Sequence, residues 1–96
     1  MNESKFQREL KKEIKERFPD CIVMKEDCNQ IQGIPDLLIL NGPKWASLEN
    51  KKSARALHRP NQDYYVDKMN KMSFSRFIYP ENKEEVLNEL SKFFEA

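Results

Sequence analysis

Apolar residues recur every four positions near the start of the chain, at Phe6, Leu10, Ile14 and Phe18, with lysines, arginines and glutamates between them. That period predicts an amphipathic helix over residues 3–18, and Pro19 disfavours helical geometry at the residue before it. Cys21 to Lys25 is a short β-rich run and reads as a first strand, followed by a polar connection from Asp27 to Gly33. Leu37 to Leu40 is continuously apolar, as suits a strand buried on both faces, and Asn41-Gly42-Pro43 supplies the turn after it. Trp45 to Lys51 reads as the third strand, whose period of two puts Glu49 and Lys51 on one face and Leu48 and Asn50 on the other. A second helix is expected from Pro60 to Met72, with Tyr64, Tyr65, Met69 and Met72 supplying apolar area. Ser73 to Tyr79 forms a fourth strand stopped by Pro80, and a closing helix carries Val86, Leu87, Leu90, Phe93 and Phe94 on one face. The order α-β-β-β-α-β-α predicts an α/β fold with helices covering a central sheet.

Length and composition narrow this picture without naming a function. A chain of 96 residues is the size of one small domain, so residues 1–96 are expected to share a single core. With 34% charged and 39% hydrophobic residues, the composition is that of a globular protein and not of a disordered one. No apolar run approaches a membrane span and the first residues lack a signal-peptide core, which predicts a cytoplasmic protein with no membrane partner. Cys21 and Cys28 form no Cys-x-x-Cys pair and have no histidine nearby, so both are expected as reduced, semi-buried thiols.

A net charge of +1 argues at first against a nucleic-acid partner, because phosphate binding is largely electrostatic. The distribution of charge changes that picture. Lys51, Lys52, Arg55, His58 and Arg59 follow one another with no acid among them, whereas glutamates dominate from Glu81 onward. Directly upstream, two neighbouring strands bring Asp36 and Glu49 together. Magnesium takes an oxygen shell of which only one or two members need be protein carboxylates, the rest being water and substrate phosphate. Asp36 and Glu49 can supply those two carboxylates and the Asn50 backbone carbonyl a third oxygen. Lys51, on the face of Glu49, can orient or deprotonate a water or stabilise developing negative charge. Glu3 shares the apolar stripe of the first helix, so among that helix's acids it is the one placed to face the interior site.

Pro35-Asp36, a spacer of strand length and Glu49-Asn50-Lys51 resemble the signature of the PD-(D/E)xK nuclease superfamily. Together with Glu3 on a first helix, Gly33-Ile34 before Pro35, and Gln62 after a basic segment, the pattern resembles the VRR-NUC branch, including its small standalone members from phages and bacteria. The resemblance covers nearly the whole chain. It implies a restriction-endonuclease-like core with a central mixed sheet flanked by helices, dependence on Mg2+ or Mn2+, and endonuclease action on branched DNA such as Holliday junctions, usually by homodimers. It also implies that Asp36, Glu49, Lys51 and Gln62 are catalytic, with Asp36, Glu49, Asn50 and Glu3 around the metal. Asn50 stands where that motif more often has an apolar residue.

Each feature also has a plainer explanation. Pro-Asp is a common turn dipeptide, Glu-x-Lys is frequent in charged proteins, and an acid in a first helical turn is favoured by the helix dipole alone. The combination carries the weight, since each half is attached to a strand at hairpin spacing. Lys52, Arg55, His58 and Arg59 are expected to contact the DNA backbone without reading its sequence. Trp45, Tyr64 and Tyr65 are core aromatics or base-stacking platforms, and Phe93 and Phe94 core or a dimer seam. The competing function is a noncatalytic DNA-binding or interaction module that keeps the nuclease fold, binding without a metal requirement.

Overall fold

The computed structural model describes residues 2–27 and 30–96, so Cys28 lies outside the described residues. Seven elements follow one another: α1 (Glu3–Arg17), β1 (Ile22–Lys25), β2 (Leu37–Asn41), β3 (Lys44–Asn50), α2 (Gln62–Met72), β4 (Ser75–Ile78) and α3 (Lys83–Glu95). The strands form one mixed sheet in the order β1-β2-β3-β4, antiparallel across the first two pairs and parallel between β3 and β4. A parallel neighbour needs a crossover, and α2 provides it.

α1 begins where the Asn2 side chain accepts a hydrogen bond from the Lys5 amide at 2.7 Å, a cap that satisfies one of the free amides of the first turn. Its four-residue repeat buries Phe6, Leu10 and Ile14 against the sheet. Leu37 and Ile39 of β2 and Ala46 and Leu48 of β3 meet them there, and Val86, Leu87 and Leu90 of α3 complete the core. Each such leucine, isoleucine or valine contributes about 1.5–3 kcal/mol by leaving water. Phe93 and Phe94 pack against this same core, Phe94 edge-on to Phe18 at 5.1 Å and Phe93 near Phe74 at 5.4 Å.

Several boundaries move by a residue or two. The second helix starts at Gln62 and not Pro60, because Asn61 adopts a left-handed backbone with φ 69°. The fourth strand is shorter than Ser73–Tyr79, since Ser73 caps α2. The β2–β3 turn is the pair Gly42-Pro43, with Gly42 at φ 63° and Asn41 already paired with Lys44.

One expectation is overturned. β2 is not buried on both faces: Leu37 and Ile39 are fully enclosed, while Leu38 and Leu40 are half-exposed. α2 packs over β3 and β4 on that side and leaves the β1–β2 half of the sheet open, where Ile22 and Met24 are exposed as well. Among the described residues no helix is long and apolar enough to cross a membrane.

Candidate functional site

The strand parity of β3 divides its side chains between two environments. Ala46 and Leu48 enter the hydrophobic core, while Glu49, and Lys51 just beyond the strand, face a cleft of about 700 Å3 on the other side. Antiparallel pairing continues this logic across the sheet. Leu37 pairs with Leu48, so Asp36, one residue earlier, arrives opposite Glu49. The Glu26 amide donates to the Asp36 carbonyl at 2.7 Å, extending the β1–β2 ladder, and the Asn50 amide donates to Asp36 Oδ2 at 3.1 Å. The aspartate is therefore held from both neighbouring strands.

Glu49 is 3% exposed. Its Oε2 accepts from Gln62 Nε2 at 3.2 Å, while Oε1 is buried with no hydrogen-bond partner among the described residues. Burial first, then the charge and hydrogen-bonding capacity of Asp36, push the Glu49 carboxyl up to about 8; Lys51 opposes this and Glu3 adds to it. Two carboxyl groups this close to each other and to apolar walls resist ionising together. Burial and the neighbouring Asp36 therefore both favour the protonated form of Glu49.

Gln62 ties the cluster together. Its Oε1 accepts from Lys51 Nζ at 2.6 Å and from the Arg59 amide at 2.7 Å, while its Nε2 serves Glu49. The amide orientation follows from this network, since the reverse would set NH2 against two donors. Lys51 Nζ also donates to the Leu57 carbonyl at 3.0 Å. Two of the three ammonium hydrogens are thus engaged, leaving one for the cleft that Lys51 lines.

Two loops must meet for Asp36 and Gln62 to share this cleft. Gly33 has φ 93°, and a Cβ on it would fall 2.7 Å from the Asn61 backbone carbon. Glycine is the residue that admits both the conformation and the approach. The loop leading to Asp36 therefore seats directly on the turn leading to Gln62.

The structure brings together Glu3, Asp36, Glu49, Lys51 and Gln62 in one cleft, with Lys52 and Arg59 on its rim. Arg55 and His58 lie outside its lining. His58 instead stacks on Phe77 at 4.0 Å and pairs with Asp63 at 2.6 Å. The Asn50 side chain is fully buried and absent from the cleft, and its Oδ1 and Nδ2 have no partners among the described residues. Tyr64 is exposed on α2, while Trp45 lines an apolar groove with Leu38, Leu40, Met69 and Met72. Sequence reasoning missed the Leu57 carbonyl as an anchor for Lys51, and Phe77 and Asp63 as the seat of His58. Backbone acceptors carry no residue-type signal, and the other two depend on how β4 and α2 pack.

Among the described residues no three His, Cys, Asp or Glu side chains gather where they could hold a metal ion. The acidic pair at the cleft floor is Asp36 with Glu49. Set against protein-family models, curated proteins and solved structures, the chain finds no match in any of the three.

Proposed function

We propose that this protein is a PD-(D/E)xK-type nuclease resembling the VRR-NUC branch, hydrolysing DNA phosphodiester bonds with a divalent cation. The observation that carries the proposal is the pair of half-buried Asp36 and buried Glu49 beside Lys51 in a cleft with a cationic rim. A Glu49 carboxyl with a raised proton affinity and an unpaired Oε1, set beside the Asp36 carboxyl, forms an incomplete site that a hard cation would complete. Asp36 and Glu49 would hold Mg2+ or Mn2+ together with the Asn50 carbonyl. On an extended strand the N–H and C=O of one residue leave on the same side, and the Asn50 amide already points at Asp36. Glu3 adds a third negative charge from the first turn of α1.

The bound cation would neutralise phosphoryl charge and lower the proton affinity of a water. The chain's own groups then have distinct work. Lys51, oriented by Gln62 and the Leu57 carbonyl, directs its remaining N–H at the water or the phosphoryl oxygen. Gln62 keeps Lys51 and Glu49 in fixed relation, so the lysine cannot collapse onto the carboxylate. Lys52 and Arg59 hold flanking phosphates without reading bases. Paired incision of two strands takes two such sites, which we propose a homodimer supplies; a stable monomer by light scattering would point to nicking instead.

The test is incubation of purified protein with four-way junction, flap, supercoiled and linear DNA in magnesium and in manganese. Metal-dependent cleavage is expected, strongest on branched substrates. Cleavage that survives in both Asp36→Ala and Lys51→Ala would sink the proposal. Gel shifts that need no metal, without any nicked product, would favour the noncatalytic binding module instead.

A further inference from the structure

Leu57 is 90% exposed, more so than the other exposed large apolar residues, Met72, Ile22, Tyr64, Met24 and Ile31. Single apolar side chains on a surface are ordinary. Three features set this one apart. It lines the cleft that holds Asp36, Glu49 and Lys51. It stands in the run from Lys51 to Arg59 that contains cations and no acid. The segment is also anchored from Leu57 onward: the Leu57 carbonyl takes a hydrogen bond from buried Lys51 Nζ, His58 next to it is stacked on Phe77 and paired with Asp63, and the Arg59 amide is bound to Gln62. The anchor for Lys51 is the Leu57 backbone carbonyl, so the exposed side chain is left free of the cluster.

A loop anchored by hydrogen bonds that carries a bare leucine between the rim cations Lys52 and Arg59 along the chain has the form of a wedge. Apolar side chains inserted between neighbouring bases unstack them, at a cost that is least where stacking is already broken. We propose that Leu57 inserts between bases beside the phosphate seated in the cleft, and so sets the preference for branched over continuous duplex DNA. The inference rests on the nuclease proposal for the identity of the polymer. It adds what that proposal lacks, a residue that senses DNA structure. Because Leu57 anchors Lys51 through its backbone, wedge insertion and lysine orientation share one segment, while the leucine side chain can be changed without removing the anchor.

The experiment places 2-aminopurine at the branch point of a four-way junction and at the centre of a matched duplex, and titrates each with protein in magnesium-free buffer. Wild-type protein is expected to raise junction fluorescence several-fold as the base unstacks. Leu57→Ala should bind but lose that rise, and Leu57→Met should keep it. In magnesium the junction-to-duplex cleavage ratio should fall about tenfold in Leu57→Ala, with an unchanged melting temperature showing that the fold is intact. An equal fluorescence rise in wild type and Leu57→Ala, or none in wild type, overturns the wedge. Unstacking that depends on Leu57 in a protein that cuts nothing in any metal supports the wedge and defeats the nuclease proposal.

Discussion

Among the described residues, Asn50 on the core face of β3 is fully buried with neither side-chain atom paired, while Glu49 on the cleft face, one residue earlier, is almost as buried with one unpaired oxygen. The two defects differ in what surrounds them. Asn50 sits on the side of Leu48, away from the cleft lining and without a side-chain partner among the described residues. Glu49 faces a second carboxyl and a cleft, so a cation can satisfy it from outside. A buried unpaired group with no route to a ligand is a cost to folding, whereas one that faces a cleft can be satisfied from outside.

The sharpest way to break this contrast is to alter the cleft face. Glu49→Gln should reduce cleavage by about a thousandfold or more, consistent with loss of a group that acts directly at the reacting centre, while raising the melting temperature because a neutral amide suits the buried position. A Glu49→Gln protein that still cuts removes Glu49 from the site. Lys51→Ala should cost roughly a hundred- to ten-thousandfold in kcat, the range of a positioned proton-transfer group, with substrate binding much less affected.

Proton linkage probes the same face without mutation. Glu49 titrates near 4.5 when exposed and near 8 when folded, so the unfolded chain releases this proton first as pH rises. Its contribution is fully present below 4.5 and is lost as pH climbs towards about 8, on the order of a few kcal/mol. Melting temperatures of metal-free protein should therefore fall through the neutral range, and Glu49→Gln should flatten the profile. Magnesium should displace the proton, which calorimetry in buffers of different ionisation enthalpy detects as release at pH 7. A flat wild-type profile with no proton release would mean that the carboxyl is already ionised.

Two smaller effects sharpen the comparison from outside the cleft. Gly33→Ala should destabilise by about 1–3 kcal/mol, since it forces a Cβ into Asn61 from a backbone conformation that side chains resist; an unchanged melting temperature would deny the loop contact. Asn50→Leu should stabilise by about 1–3 kcal/mol, by removing an unpaired amide while leaving the backbone carbonyl in place. A fall in melting temperature would reveal a partner for that amide, such as an enclosed water.

Much of the site could be read from local pattern. Period two along β3 is a property of the extended chain, so Glu49 and Lys51 share a face whatever the rest of the protein does, and a short turn brings Asp36 alongside. Gln62 was legible by resemblance, but its bridge from Lys51 to Glu49 was not, because the start of α2 has to fold back onto the end of β3 to make it. His58 illustrates the limit. A lone histidine in a basic run reads as a phosphate contact, yet its neighbours are Phe77, from a strand that arrives by a parallel crossover, and Asp63 on α2. The half-exposed face of β2 was equally hidden. A continuous apolar run looks enclosed from sequence, and only the placement of α2 over β3 and β4 shows that one side stays open.

By itself the sequence determined the order of elements, the apolar stripe of α1 and the sharing of one face by the acid and the lysine, since these follow from backbone periods that act over a few residues. Only the tertiary structure decided that Glu49 is desolvated against Asp36, that Gly33 closes onto Asn61, and that Leu57 is held out beside the cleft. Proton affinity, close approach and exposure are set by what lies across a gap in space. The segments facing each other there stand far apart along the chain.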